Sequence, residues 1–166
     1  GFEGASREWD REGLHDWEKT NIKNAGGLQY PGDKNERDPN GCIALHQWGQ
    51  KNNQNGKMWQ KTKLPKGTYR FDLGGIALGV SSGYVNAVFV ICEGTTDNAI
   101  PIYVNGTWVE KQSGVKGEIP MQRDHKSEDS VEVTLENDTE LVVGFVVWAN
   151  NTVWATFNSI TVHLVK

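Results

Sequence analysis

Two pairs of indoles bracket amide-rich connections in this chain. Trp48 and Trp59 flank Asn52, Asn53, Gln54 and Asn55, and Trp148 and Trp154 flank Asn150 and Asn151. An indole face presents a large apolar surface against which the C–H patch of a pyranose can stack. A planar amide carries two donors and an acceptor oxygen, which suits neighbouring hydroxyls. Loops held by a rigid scaffold commonly supply both groups. The candidate ligand-binding residues are therefore Trp48, Asn55, Trp59, Asn150, Asn151 and Trp154, and the chemistry is recognition of a sugar by stacking and hydrogen bonding. The same residues have a plainer reading, in which the indoles cover a sheet edge and the amides close turns. Trp108, which follows the Asn105-Gly106 turn, and Trp9 and Trp17 near the start are assigned to packing.

Catalytic patterns do not emerge. Glycoside hydrolysis needs two carboxyl groups facing each other at a set separation. Glu132 and Glu136 fall on the polar side of an alternating segment, and Glu118, Asp124, Glu128 and Asp129 lie in a charged stretch that reads as solvated. No G-x-S-x-G, H-E-x-x-H or phosphate-loop pattern is present, and the four histidines show no metal-ligand spacing. Asp33, Glu36 and Asp38 could supply oxygens to calcium, but without the D-x-D-x-D-G spacing. No cofactor or metal is therefore assigned, calcium being the one alternative, and the chain is expected not to be an enzyme.

These residues must be positioned by strands. In 55-NGKMWQKTKLPKGTYRFDL-73, Tyr69, Phe71 and Leu73 alternate with Thr68, Arg70 and Asp72, which puts three large apolar groups on one face. Leu64-Pro65-Lys66-Gly67 reads as a tight turn, so the stretch is expected to form a hairpin whose apolar face needs a second layer. Trp59 shares a face with Lys61 and Lys63, which predicts solvation. Residues 84–92 (YVNAVFVIC) and 141–148 (LVVGFVVW) read as buried central strands. Asn105-Gly106 is a strong hairpin signal. Shorter strands are expected at 14–22 (with a short amphipathic helix as the alternative there), 42–48, 100–104, 107–110, 131–135 and 153–165, with long polar connections at 24–41 and 111–130. Eight to ten strands without a convincing helix or a repeat mean an all-β, two-sheet antiparallel sandwich.

Composition bounds the function. The 166 residues suit one domain, set here as 14–166 behind an irregular segment at 1–13. Nineteen glycines against two methionines fit a turn-rich β protein. A net charge of −4 leaves no basic stripe for phosphates, which argues against nucleic acid but not against a neutral ligand. No segment approaches the ~20 apolar residues needed to span a bilayer. The chain starts at Gly1 without an export signal, and such a signal could have been removed. Cys42 and Cys92 sit in apolar runs and read as buried thiols, with a single disulfide as the alternative.

The order of the segments MWQKT, LPKGTYRFD, YVNAVFVIC, LVVGFVVWAN and FNSITVHL resembles the galactose-binding-domain-like jelly rolls of secreted and surface proteins of gut bacteria that handle glycans. The matching signature, x-Gln-x-x-x-Leu-Pro-x-Gly-x-Tyr, runs from Gln60 to Tyr69, and the likeness extends over residues 14–166. It lies in the scaffold; no sugar-binding motif of the family is among the matching residues. The resemblance implies a jelly roll and a non-catalytic carbohydrate-binding module. It also implies an extracellular, periplasmic or cell-surface location, a glycan or polysaccharide partner, and neighbouring domains in a larger chain. In such jelly rolls the loop before the last strand lines the ligand cleft, which adds weight to Asn150, Asn151 and Trp154. A structural or protein-interaction sandwich without a sugar ligand is the alternative.

Overall fold

The computed structural model describes residues 17–20, 27–29, 42–46, 53–74, 77–80, 85–109, 114–121, 129–149, 153–157 and 159–166. Of 27–29, 42–46, 53, 77–80, 85, 153–157 and 159 it describes the backbone alone. The expected entry segment 1–13 and the acidic stretch at Asp33–Asp38 lie outside these residues.

The strands are β1 (Glu18–Thr20), β2 (Gly27–Gln29), β3 (Cys42–His46), β4 (Asn53–Leu64), β5 (Gly67–Gly74), β6 (Ala77–Val80) and β7 (Val85–Glu93). They continue with β8 (Tyr103–Val104), β9 (Thr107–Trp108), β10 (Val115–Pro120), β11 (Asp129–Leu135), β12 (Thr139–Ala149), β13 (Val153–Phe157) and β14 (Ser159–Leu164). Among the described residues the only helical element is a 3-10 turn at Asp97–Ala99, and no helix is long and apolar enough to cross a membrane.

One sheet has the order β1-β4-β12-β7-β10. Its two middle partners, β12 and β7, are the continuous apolar runs of the sequence, buried on both faces as such runs require. The other layer consists of two ladder sets, β2-β3-β13-β6 and β11-β5-β14. They share one register: Ala77 pairs Thr156 and Gly74 pairs Ser159, three residues back on one side and three residues on along the other. The second layer is thus a five-strand order in which β5 and β6 face β14 and β13. All pairings are antiparallel. The molecule is an all-β antiparallel sandwich, as the alternation and turns required, and of jelly-roll type, as the resemblance implied.

Between the layers lies the main core. Tyr69, Phe71 and Leu73 of β5 meet Met58 of β4, Phe89 and Ile91 of β7, and Phe145 and Val147 of β12. Phe89 lies 5.3 Å from Phe145 and 6.4 Å from Phe71, centroid to centroid, at tilted angles. Trp17, just before β1, stacks on Phe145 at 6.2 Å, confirming its packing role.

The expected hairpin at Pro65 is overturned. β4 pairs with β1 and β12, whereas β5 pairs with β11 and β14. The Pro65-Lys66 link therefore crosses from one layer to the other, and the apolar faces of β4 and β5 look at each other across the core. Tyr69 Oη donates to the Pro65 carbonyl at 2.9 Å, and Lys66 N–H donates to Asp138 at 3.1 Å, which fix the crossing. Gly67 is required by proximity: a Cβ there would come within 3.0 Å of the Lys166 carbonyl. Two strands fall in stretches read as connections, β2 within 24–41 and β10 within 111–130. Cys92 is a free, buried thiol, which excludes the disulfide.

Candidate functional site

Much of the side of the first sheet that faces away from the core is covered. The segment between β7 and β10 folds back over it. Val88, Val90 and Cys92 of β7, Val142 and Val146 of β12 and Trp59 of β4 pack beneath Ile100 and Tyr103 of this segment. Polar groups hold the cover down. The buried Lys57 side chain donates through Nζ to the carbonyls of Asp97 (2.8 Å) and Ile100 (2.7 Å). Asn55 Oδ1 accepts from the Tyr103 N–H at 3.0 Å, and Trp108 Nε1 donates to Glu118 at 3.0 Å. Tyr103 and Trp108 meet edge to face at 5.0 Å. Between them, Asn105 and Gly106 have φ of 47° and 86°, the left-handed pair that a two-residue hairpin turn demands.

This cover explains the shifted titrations. Burial pulls the Lys57 ammonium below the ordinary lysine range, although the nearby Asp97 carboxylate acts against it. Burial pushes the Cys92 thiol up to about 12. Burial raises the Tyr103 phenol as well, assisted by Glu118.

Of the sequence-predicted residues, Trp59 is misplaced by its alternation with Lys61 and Lys63. It is 4 % exposed and belongs to the covered face, so the expected solvated platform does not exist. Lys61 does reach solvent, where it lies 3.6 Å from Glu18. The cover comes from a segment forty residues away, which local alternation cannot reveal. Asn55 is half-buried with φ of 54°, and its carbonyl oxygen is spent on Tyr103. Trp154 lies in β13 opposite Gly79 of β6. Trp48, Asn150 and Asn151 lie outside the described residues.

The strand ends that flank these positions nevertheless share one end of the sandwich. Ala149 pairs both Asn53 and Val85, which aligns the end of β12 with the starts of β4 and β7. Val153, four residues on, pairs Val80, and Ala155 pairs His46. The chain therefore changes layer at this end three times: between His46 and Asn53, between Val80 and Val85, and between Ala149 and Val153. The predicted residues other than Trp59 belong to these connections or to the first residues of the strands beside them. The opposite end carries the Pro65-Lys66 crossing. Sequence reasoning missed Lys57, Glu118 and Asn86. Glu118 reads as part of a solvated charged stretch, Lys57 shares its face with Lys61 and Lys63 and so does not stand out, and Asn86 sits inside an apolar strand; only for Asn86 is there a signal, an isolated polar residue within an otherwise apolar run.

The architecture defines a class of β-sandwich already known from solved structures. The chain is similar to one described as "CBM4 structure and function", with a TM-score of 0.50 and 11 % identity, over 90 % of this chain and 94 % of that one. At that identity the likeness concerns the fold. The chain belongs to the family described as "Domain of unknown function (DUF5013)", which it matches over residues 1–153. No curated protein sequence matches it.

Proposed function

We propose that this chain is a non-catalytic carbohydrate-binding module of an exported bacterial protein, with its site at the end of the sandwich where the chain changes layer three times. The observation that carries the reading is this convergence. Trp48, Asn150 and Asn151 occur in two of those connections, and Asn55 and Trp154 occur beside them in β4 and β13. An indole for stacking and amides for hydroxyls are thus assigned to one end of a rigid scaffold. The fold likeness to a carbohydrate-binding module supports the same reading by analogy. Among the described residues no three His, Cys, Asp or Glu side chains form a metal-holding group.

The test is binding to a panel of polysaccharides by affinity electrophoresis. The wild-type chain should be retarded by at least one glycan, and Trp154→Ala or Trp48→Ala should lose most of that retardation. Unchanged mobility of the wild type on every glycan would discard the reading.

A second reading, a module that holds neighbouring domains, is favoured by one observation. The β8–β9 ribbon turns Tyr103 and Trp108 inward and leaves Ile102 and Val109 54 % and 63 % exposed. Neighbouring exposed apolar groups of this kind suit a protein contact.

A further inference from the structure

Asn55, Asn86 and Trp148 meet the Asn105-Gly106 turn at the tip of the cover without forming a closed hydrogen-bond set. Asn86 of β7 is directly opposite Trp148 of β12 in the ladder, on the covered face and at the last rung but one. Both are half-buried. On the other side of Trp148 the β4 ladder is interrupted between the Val147↔Gly56 and Ala149↔Asn53 pairs, which places Asn55 beside it. The Asn105-Gly106 turn comes down onto Asn86: a Cβ on Gly106 would be 3.1 Å from Asn86 Oδ1. Asn105 is exposed next to it.

The hydrogen-bond inventory of these groups is unspent. Asn55 uses only its Oδ1, for the Tyr103 N–H. Among the described residues, the amides of Asn86 and Asn105 and the indole N–H of Trp148 have no protein partner. Trp59 Nε1 is the only partnerless side-chain polar atom closed off from solvent among the described residues, so these amides and the Trp148 indole N–H are open to a ligand's hydroxyls. The four groups are all uncharged. Among the described residues of β4, the Lys57 ammonium lies one pair further along the face and is committed to the Asp97 and Ile100 carbonyls.

We propose that Asn55, Asn86, Asn105 and Trp148 form a subsite for a neutral sugar unit, with the ribbon tip as one of its walls. This rests on the carbohydrate-binding reading and deepens it, because it places part of the site on the cover and matches four uncharged groups to an uncharged ligand. Asn86, Asn105 and the free Nδ2 of Asn55 supply amide groups to hydroxyls, and Trp148 supplies the apolar surface. Among the described residues a uronate or sulfated unit finds no free cation here to offset the loss of its hydration. Asn55 is in addition a positioning residue, since its Oδ1 ties the ribbon to β4.

The experiment compares wild type, Asn86→Ala and Asn105→Gly for binding to neutral glucans, mannans, xylans and galactans and to polygalacturonate. Glycine keeps the left-handed turn at position 105, so that variant removes the amide without disturbing the hairpin. Each variant should bind its neutral glycan about five- to tenfold more weakly, with an unchanged melting temperature for Asn105→Gly. Full affinity in both variants, or wild-type preference for polygalacturonate, overturns the subsite. If Trp48→Ala and Trp154→Ala abolish binding while the two Asn variants do not, the subsite falls and the carbohydrate reading stands. If the wild type binds none of these glycans, both fall.

Discussion

The two faces of the first sheet are buried by different means. On the inner face, Met58, Phe89, Ile91 and Phe145 meet Tyr69, Phe71 and Leu73 across the sandwich, and the cluster is composed of apolar side chains. On the outer face, strands alternating with those same residues place Trp59, Val88, Val90, Val142 and Val146 under a single returning segment, secured by Lys57, Asn55 and Glu118. The inner face is held by area and shape, the outer one by area plus a few directional bonds. The Trp59 indole N–H, buried without a partner, marks how incompletely the cover satisfies what it hides. Polar fastenings are individually worth little net, but breaking one strands its partner. The inner face should therefore govern global stability and the outer face local opening.

The largest separation between the two faces should come from Phe145→Ala. The ring is fully buried and touches both Phe89 and Trp17. Its loss should cost about 3–5 kcal/mol, read as a shift of the denaturant midpoint. A shift below 1 kcal/mol would mean that the main core lies elsewhere.

Lys57→Met should act on the other face. It removes a desolvated ammonium, which is favourable, but leaves the Ile100 carbonyl without its donor; the Asp97 carbonyl keeps the Ile100 N–H at 3.0 Å. A net loss of about 1–2 kcal/mol is expected. Amide exchange should accelerate at Ile100 and Tyr103, with Phe71 and Phe89 following only the global change. Equal acceleration on both faces would erase the distinction. Wild-type stability should carry the same signature in its pH dependence. The native chain holds the Lys57 proton less tightly than the unfolded chain, so this group's contribution grows as pH rises from the lowered pKa to 10.5.

The smallest effect concerns Cys92. Its raised thiol pKa means that the native state resists ionisation, so its contribution is complete below pH 9 and is lost as pH climbs toward 12. Going from pH 8 to pH 10 should cost about 1 kcal/mol from this group. Cys92→Ala should flatten that limb, and an alkylating reagent should label Cys92 in the folded protein only on the timescale of unfolding. Rapid labelling at pH 8 would contradict the covered face.

The inner face was legible in the sequence because it depends on local alternation alone. Tyr69, Phe71 and Leu73 announce themselves, as does the Asn105-Gly106 turn. Alternation does not say which layer a strand joins, so the Leu64–Gly67 turn read as a hairpin when it is a crossing. Nor does it say whether a strand's second face is covered. Lys61 and Lys63 made the face of Trp59 look wet, and only the return of residues 97–109 dries it. β10 escaped notice because Lys116 and Glu118 break its apolar pattern at a sheet edge, where the sequence needs only Ile119 to face the core. For the candidate site, chain order gave the residue types and the connections. Asn86 could be found only once β7 and β12 were in register.

The last residues are sewn into the second layer: Thr68 N–H donates to the Lys166 carbonyl at 2.9 Å, and Val165 N–H donates to the Thr68 carbonyl at 2.7 Å. That seam sits at the Pro65 crossing, while the amides gather at the far tip, about 33 Å away along β12 at strand rise. Anything tethered beyond Lys166, whether a bead or a sensor chip, would hold the molecule by its heel and leave the amide-bearing tip pointing outward, so immobilisation through that terminus is the orientation in which the proposed glycan capture can be tested without masking.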